Sequence, residues 1–235
     1  MKAREHAILF YKFGGTSMIQ TIIDLFYIGG WPVMLSIFLT LIVSIVVVVE
    51  RVLRYWTKYD LANAQEFMAK IQKYVMNNSI ENGIRLCKKY KPALLPYVIA
   101  EGLKKANHSP EEIEYAIEHA NLTVNPKVTK TVPLLATTAN VATLLGLLGT
   151  IFGLMHSFGA AAKATGAEKQ TLLAEGISEA LTATSFGLGT ALLCLAAYGV
   201  LQWKQKQILD DINQHASKLM DLLYTRKMKI QGKSE

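Results

Sequence analysis

The stretch ALTATSFGLGTALLCLAAYGVLQW, from Ala180 to Trp203, has no Asp, Glu, Lys or Arg in its 24 residues. A helix needs about 20 apolar residues to cross the hydrocarbon core of a bilayer, and it satisfies its own backbone hydrogen bonds. Two further uncharged runs have suitable lengths, Trp31–Val49 and Thr131–Ala162. With no strand-like alternation of any length, the sequence predicts an all-α membrane protein with three transmembrane helices.

These runs and the charges between them divide the 235 residues into seven segments. The three transmembrane helices, called spans one, two and three, are residues 31–50, 131–160 and 171–203. The other four segments are an N-terminal segment at 1–30, a helical domain at 51–130, a short turn at 161–170, and a C-terminal helix and tail at 204–235.

Lys and Arg residues predict how the chain is oriented. Residues 51–130 contain thirteen of them and residues 204–235 contain seven. Basic residues favour the cytoplasmic side of a membrane. We therefore expect residues 51–130 and 204–235 in the cytoplasm, and residues 1–30 and 161–170 in the periplasm. No small-residue cleavage site follows span one, so we expect that span to remain as an anchor.

Several local patterns predict helices outside the spans. Apolar residues from Met18 to Phe26 have helical spacing, which suits an amphipathic helix in the outer interface; an ordinary frayed leader is the alternative. Ser109 precedes a proline and has Glu112 three residues later, which predicts a capped helix start. Tyr55–Tyr74 and Glu81–Lys91 also predict helices.

Composition argues against several classes of function. The net charge of +7 would suit nucleic acid, but the membrane orientation explains it more simply, so we expect no nucleic-acid partner. The cysteines Cys87 and Cys194 fall in different predicted compartments and cannot pair. The histidines have no metal spacing, and no phosphate loop or nucleophile elbow is present. We therefore expect neither an enzyme nor a bound metal or cofactor.

Two spans carry a face of small residues. On span two it comprises Ala139, Thr143, Gly146, Thr150, Gly153 and Ser157, beside a GxxxG pair formed by Gly149 and Gly153. On span three it comprises Gly176, Ala180, Ala183, Gly187, Thr190, Cys194 and Ala197. Small residues let membrane helices approach closely. Both faces therefore predict tight helix packing, whereas bulky span one suits contact with membrane lipids.

Glu179 is the acid nearest to the uncharged run, and its depth is open. It is either a solvated helix-start acid at the membrane rim or a carboxylate buried in a helix bundle, where an acid by default suggests an ion path. A hairpin symmetric about residues 163–166 would place Thr150 level with Glu179. Thr184 lies five residues after Glu179, about 140° around a helix, so the two side chains cannot point the same way.

Three stretches resemble the MotA/TolQ/ExbB proton-channel family, on its TolQ/ExbB-like branch. They are GLLGTIFGLMHSF (Gly146–Phe158), GISEALTATSFGLGTAL (Gly176–Leu192) and GGWPVMLSIFLTLIVSIVVVVERVLRY (Gly29–Tyr55). The joint occurrence of the first two stretches at this separation is specific. The resemblance covers the three spans, about half of the chain.

This resemblance implies a homopentamer in the bacterial inner membrane. The ring would enclose the helices of a one-span ExbD/TolR-like partner whose transmembrane Asp carries protons, and proton flow would drive mechanical work on the periplasm or outer membrane. The transported ion would be H⁺. By the same resemblance, Thr150, Glu179 and Thr184 form the ion pathway.

The chain also departs from the family pattern. Thr143 and Glu175 stand where family members carry proline, and Glu175 would add a second acid near the outer mouth. Two other functions compete with a proton-driven motor subunit. A secondary transporter subunit would be expected to have more spans and internal repeats. A passive membrane scaffold would use the small-residue faces only for assembly.

Overall fold

The structure is a computed structural model and describes residues 29–59, 61, 63–90 and 92–231. Every regular element within these residues is helical, which confirms the all-α fold class. The predicted interfacial helix around Met18–Phe26 lies outside the described residues.

Seven α-helices and one π-helical turn follow each other along the described chain. They are α1 (Trp31–Arg54), the π-helical turn (Tyr55–Tyr59), α2 (Ala64–Met76), α3 (Ile80–Lys89), α4 (Leu94–Lys104), α5 (Pro110–Thr129), α6 (Pro133–Ala161) and α7 (Ala167–Gln231).

Three helical stretches are long and apolar enough to cross a membrane: Trp31–Thr57, Pro110–Ala161 and Ala167–Lys229. Each contains one predicted span. Helix α7 continues unbroken past Trp203, because the following KQKQIL segment consists mainly of good helix formers with neither glycine nor proline. The predicted division after residue 203 therefore lies inside a single helix.

Of the two uncapped helices predicted after span one, the first is wrong in part and the second is confirmed. The predicted helix Tyr55–Tyr74 is wrong in part, because the π-helical turn ends at Tyr59 and α2 begins only at Ala64. Asn63 lies in the interruption and is a weak helix former. The helix predicted from Glu81 is confirmed as α3, with ends that differ by one or two residues.

Residue contacts divide the chain into two compact units. Of the described residues, 29–46 and 134–197 form one unit, here called the apolar unit. Residues 47–133 and 198–231 form the other, here called the polar unit. The apolar unit holds most of the three spans, and the polar unit holds α2 to α5 with the C-terminal part of α7.

In the polar unit, side chains cap both ends of α5. The Ser109 hydroxyl accepts a hydrogen bond from the Glu112 amide at 3.3 Å, which confirms the predicted cap. At the other end, the buried Arg51 donates to the carbonyl oxygens of Lys127 at 2.9 Å and Val128 at 3.3 Å. The last carbonyls of a helix lack intrahelical donors and form its negative end, so a guanidinium stabilises them.

Arg226 joins the C-terminal part of α7 to two loops of the polar unit. Its guanidinium donates to the side-chain oxygen of Asn78 at 3.0 Å, the carbonyl oxygen of Ala106 at 3.2 Å and the side-chain oxygen of Asn107 at 3.0 Å. Asn78 has a φ of +57°, a left-handed conformation that asparagine tolerates better than most residues. One side chain thus fixes the α2–α3 and α4–α5 loops to α7.

We expect Arg226→Ala to lower the stability of the polar unit by about 1–3 kcal/mol, because charged hydrogen bonds to both loops are lost. Thermal unfolding of the purified protein in detergent measures the change. Arg85→Ala is the matched control, since Arg85 is exposed and lies 4.0 Å from Glu81, at the limit of an ion pair. Equal melting temperatures for the two variants would show that the hydrogen bonds of Arg226 to the two loops do not stabilise the polar unit.

In the apolar unit, the backbones of α6 and α7 approach closely at glycines. A β-carbon built at Gly187 would lie 2.7 Å from the carbonyl oxygen of Ala142 and 2.9 Å from Cα of Gly146. One built at Gly149 would lie 2.6 Å from Cβ of Ala183. The two helices therefore pack with almost no side chain between them, as small residues permit.

The buried face of α6 is rotated slightly from the predicted one. Ala139, Gly146, Gly153 and Ser157 are buried as expected, but Thr143 is exposed and Thr150 is only half-buried. The buried face is completed by Leu135, Ala142, Gly149 and Ala161. Ala142 and Gly149 bring α7 closer than two threonines would, which accounts for the rotation.

We expect Gly187→Ala to destabilise the α6–α7 contact by about 1–3 kcal/mol, because its methyl group would overlap the α6 backbone. Gly189→Ala is the matched control: a β-carbon there meets nothing within 4 Å. Alanine at position 189 has a higher helix propensity than glycine, so Gly189→Ala should leave the stability unchanged or slightly raised. Thermal unfolding in detergent compares the two variants, and a Gly187→Ala protein as stable as Gly189→Ala would refute the close packing.

Candidate functional site

Thr184 is bound to the neighbouring helix of its own chain. Its half-buried hydroxyl donates a hydrogen bond to the carbonyl oxygen of Gly146 on α6 at 2.9 Å. A β-carbon at Gly146 would lie 3.3 Å from Cα of Thr184, so the missing side chain at Gly146 makes this approach possible. Thr184 thus links α7 to α6 inside the apolar unit.

Thr150 uses its hydroxyl within its own helix, donating to the carbonyl oxygen of Leu147 at 2.6 Å. The prediction that Thr150 lies level with Glu179 is wrong. Gly149 packs on Ala183 and Gly153 packs on Ala180, so Thr150 lies about one helical turn further from the α6–α7 turn than Glu179 does. The pairing of glycines with alanines sets the helix register, and this pairing is not symmetric about the turn.

Glu179 is half-buried and lies about three turns into α7, which begins at Ala167. It is therefore not an acid of the first helical turn. Its carboxylate faces the N-terminal end of α1: a β-carbon built at Gly30 would lie 2.5 Å from Oε1 and 3.5 Å from Cδ of Glu179. Glu179 and Thr184 thus point to different helices, as their spacing requires.

The remaining predicted residues lie around these three. Glu175 is exposed one turn before Glu179, and the adjacent Gly176 packs directly on Ser157 of α6. Thr190 is buried. Thr143, which is exposed, donates its hydroxyl hydrogen to the carbonyl oxygen of Ala139 at 3.1 Å.

Gly153 and Ala180 extend the same contact between α6 and α7. A β-carbon built at Gly153 would lie 3.2 Å from Cβ of Ala180. With Gly149 and Ala183, these residues form the interface in which the GxxxG pair of α6 receives two alanines of α7. The small residues predicted to pack the helices therefore include both sides of one continuous helix contact.

A polar network that the sequence did not reveal connects all three spans. The Cys194 thiol donates to Oγ of Ser44 at 3.1 Å, and the Ser44 hydroxyl lies 2.9 Å from Oγ1 of Thr138, in hydrogen-bonding contact. Ser44 is 3% exposed. The isolated serine in LIVSIVVVV was the available signal, because a polar side chain in a bulky apolar span needs a partner.

The chemistry of this region rests on one carboxylate and several hydroxyl groups. Among the described residues, no group of three or more His, Cys, Asp or Glu side chains could hold a metal ion. The hydroxyls of Thr150 and Thr184 can donate hydrogen bonds to water and accept them from it, and the carboxyl group of Glu179 can bind a proton.

Comparison with known proteins gives a match for residues 90–214, more than half of the chain, to the "MotA/TolQ/ExbB proton channel family". The matched region contains Thr150, Glu179 and Thr184. Span one lies outside it, so neither Ser44 nor Gly30 is covered.

Individual relatives agree with this match. The Tol-Pal system protein TolQ of Haemophilus influenzae is 35% identical over 129 residues, which cover 52% of this chain and 55% of that protein. TolQ of Pseudomonas aeruginosa is 28% identical over 136 residues, 58% of this chain and 54% of that protein. The biopolymer transport protein ExbB of Pseudomonas putida is 33% identical over 100 residues, 43% of this chain and 28% of that protein.

The matches span about half the length, or less, of these curated relatives. The structure has three membrane-length helices, and the family match covers span two and span three. By the family match over residues 90–214, this chain belongs to the MotA/TolQ/ExbB family, on its TolQ/ExbB-like side.

Proposed function

We propose that the protein is a proton-channel subunit of an energy-transducing complex in the bacterial inner membrane. The observation that carries the proposal is the family match over the region that holds Glu179, a half-buried acid beside an uncharged helical run. Relatives in this family are named for the Tol-Pal system and for biopolymer transport, which supports a role in work delivered beyond the membrane.

The complex in this proposal has two kinds of subunit. Copies of this chain form a homopentamer, and the ring encloses a one-span ExbD/TolR-like partner whose transmembrane Asp carries the proton. With three spans per chain, the exposed apolar side chains of α1, α6 and α7 require lipid or other subunits as neighbours. Proton flow then moves the partner against the ring.

Orientation follows from charge. The basic residues of the polar unit favour the cytoplasm, so Glu179 and the α6–α7 turn lie toward the periplasm, with the N-terminus on that side. Thr150 and Thr184 then both sit deeper than Glu179 along the α6–α7 contact. A proton entering from the periplasm would meet the carboxylate first and the two hydroxyls next.

One observation favours a passive scaffold as the second candidate. Both Thr150 and Thr184 donate their hydroxyl hydrogens to backbone carbonyls, as threonines that only stabilise helices do. A scaffold would use the small-residue contacts for assembly alone and would not depend on the charge of Glu179.

Neutralising Glu179 separates the two candidates. We expect Glu179→Gln to reduce proton flux at least 10-fold in liposomes that contain this protein and its one-span partner, because Gln neither binds nor releases a proton at neutral pH. A pH-sensitive dye reports the flux under an imposed membrane potential.

Glu168→Gln is the control, because Glu168 is an exposed acid in the first turn of the same helix. Both variants should insert and assemble like the wild type, as judged by gel filtration. Wild-type flux in an assembled Glu179→Gln complex would reject the channel proposal in favour of the scaffold.

A further inference from the structure

We propose that Gly30 is a positioning residue for Glu179, so that the N-terminal end of span one belongs to the ion pathway. This inference rests on the proposed function and adds a residue that lies outside the matched family region. Its basis is a contact within the apolar unit between two residues that are far apart in the sequence.

Gly30 directly precedes α1 and leaves room for the carboxylate. Its carbonyl oxygen accepts the hydrogen bond of the Met34 amide at 3.1 Å, which makes Gly30 the residue at the helix start. Its φ is +78°, in the left-handed region that glycine adopts freely. Any side chain at position 30 would both strain this turn and enter the space of Oε1 of Glu179.

The electrostatics of the helix start suit a carboxylate. The N-terminal end of a helix carries partial positive charge, and a nearby carboxylate stabilises it. Helix α1 has no acidic residue in its own first turn. Glu179 places its carboxyl group there from α7, and among the described residues no ion pair joins it to a basic side chain.

The first turn of α1 is also held in place independently of Glu179. Val33 lies against the α6 backbone, where a β-carbon built at Gly149 would be 3.0 Å from Cγ1 of Val33. Gly149 in turn contacts Ala183, one turn after Glu179 on α7. The helix start that receives the carboxylate is therefore fixed against the hairpin that carries Glu179.

The chain contains a matched control for this contact. Gly166 also has a positive φ, +58°, but a β-carbon built there meets nothing within 4 Å. Alanine at either position strains the backbone, because residues with a β-carbon disfavour positive φ. Only at position 30 does the added methyl group displace a carboxylate.

We expect Gly30→Ala to reduce proton flux at least 5-fold in liposomes with the one-span partner, while Gly166→Ala stays within 2-fold of the wild type. The melting temperature should fall by similar amounts in the two variants, since both carry the same kind of backbone strain. Equal flux in Gly30→Ala and Gly166→Ala would overturn the positioning role.

A second-site change tests the specific contact. Glu179→Asp removes one methylene and withdraws the carboxylate from position 30, so the double variant Gly30→Ala/Glu179→Asp should recover at least 2-fold in flux over Gly30→Ala. A residue that acted only on folding would not be rescued by shortening Glu179. Additive losses in the double variant would contradict the contact.

Proximity is measured separately from function. A short bifunctional thiol reagent should cross-link Gly30→Cys with Glu179→Cys in native membranes, and should cross-link the exposed control pair Gly30→Cys and Glu175→Cys at least 5-fold less. Equal cross-linking of both pairs would overturn the inference. Failure of the proposed function is distinct from this, because it would appear as wild-type flux in Glu179→Gln whether or not the first pair cross-links.

Discussion

The close approach of the α6 and α7 backbones determines the rest of the apolar unit. Gly146 faces Gly187 with no side chain between the helices, and Gly149 receives Ala183. Lipid supplies no hydrophobic drive for helix association, so dense packing has to provide the attraction. Larger side chains would not fit where the glycines Gly146, Gly149 and Gly187 make contact. This contact therefore also sets the register of the hairpin, and hence the level of each polar side chain.

That register gives the polar groups different surroundings. Thr184 reaches across the hairpin to α6, while Glu179, about 140° away, faces the start of α1. The carboxyl group of Glu179 thus lies beside a helix end, and the hydroxyl of Thr184 donates to a backbone carbonyl. An acid near a membrane interior is costly unless protein or water surrounds it, and the α1 start gives Glu179 a polar neighbour within its own chain.

The sequence predicts the elements better than their contacts. Uncharged runs located all three spans, and the Ser109 cap was found because its signal is local. The face of span two was off by one residue at Thr143 and Thr150, since alternating steps of three and four fit two neighbouring faces equally well. The meeting of Gly30 with Glu179 joins residues 149 positions apart, and no local pattern encodes it.

The state of the two native cysteine thiols has a practical consequence. Cys87 is buried in the polar unit, and burial raises the pKa of its thiol to about 12, which leaves almost no thiolate at neutral pH. Cys194 is also buried, with its thiol engaged by Ser44. Spin labels or fluorophores attached to an engineered surface cysteine would therefore report on that position alone. Distance measurements between such labels could follow subunit motion without removal of the native cysteines.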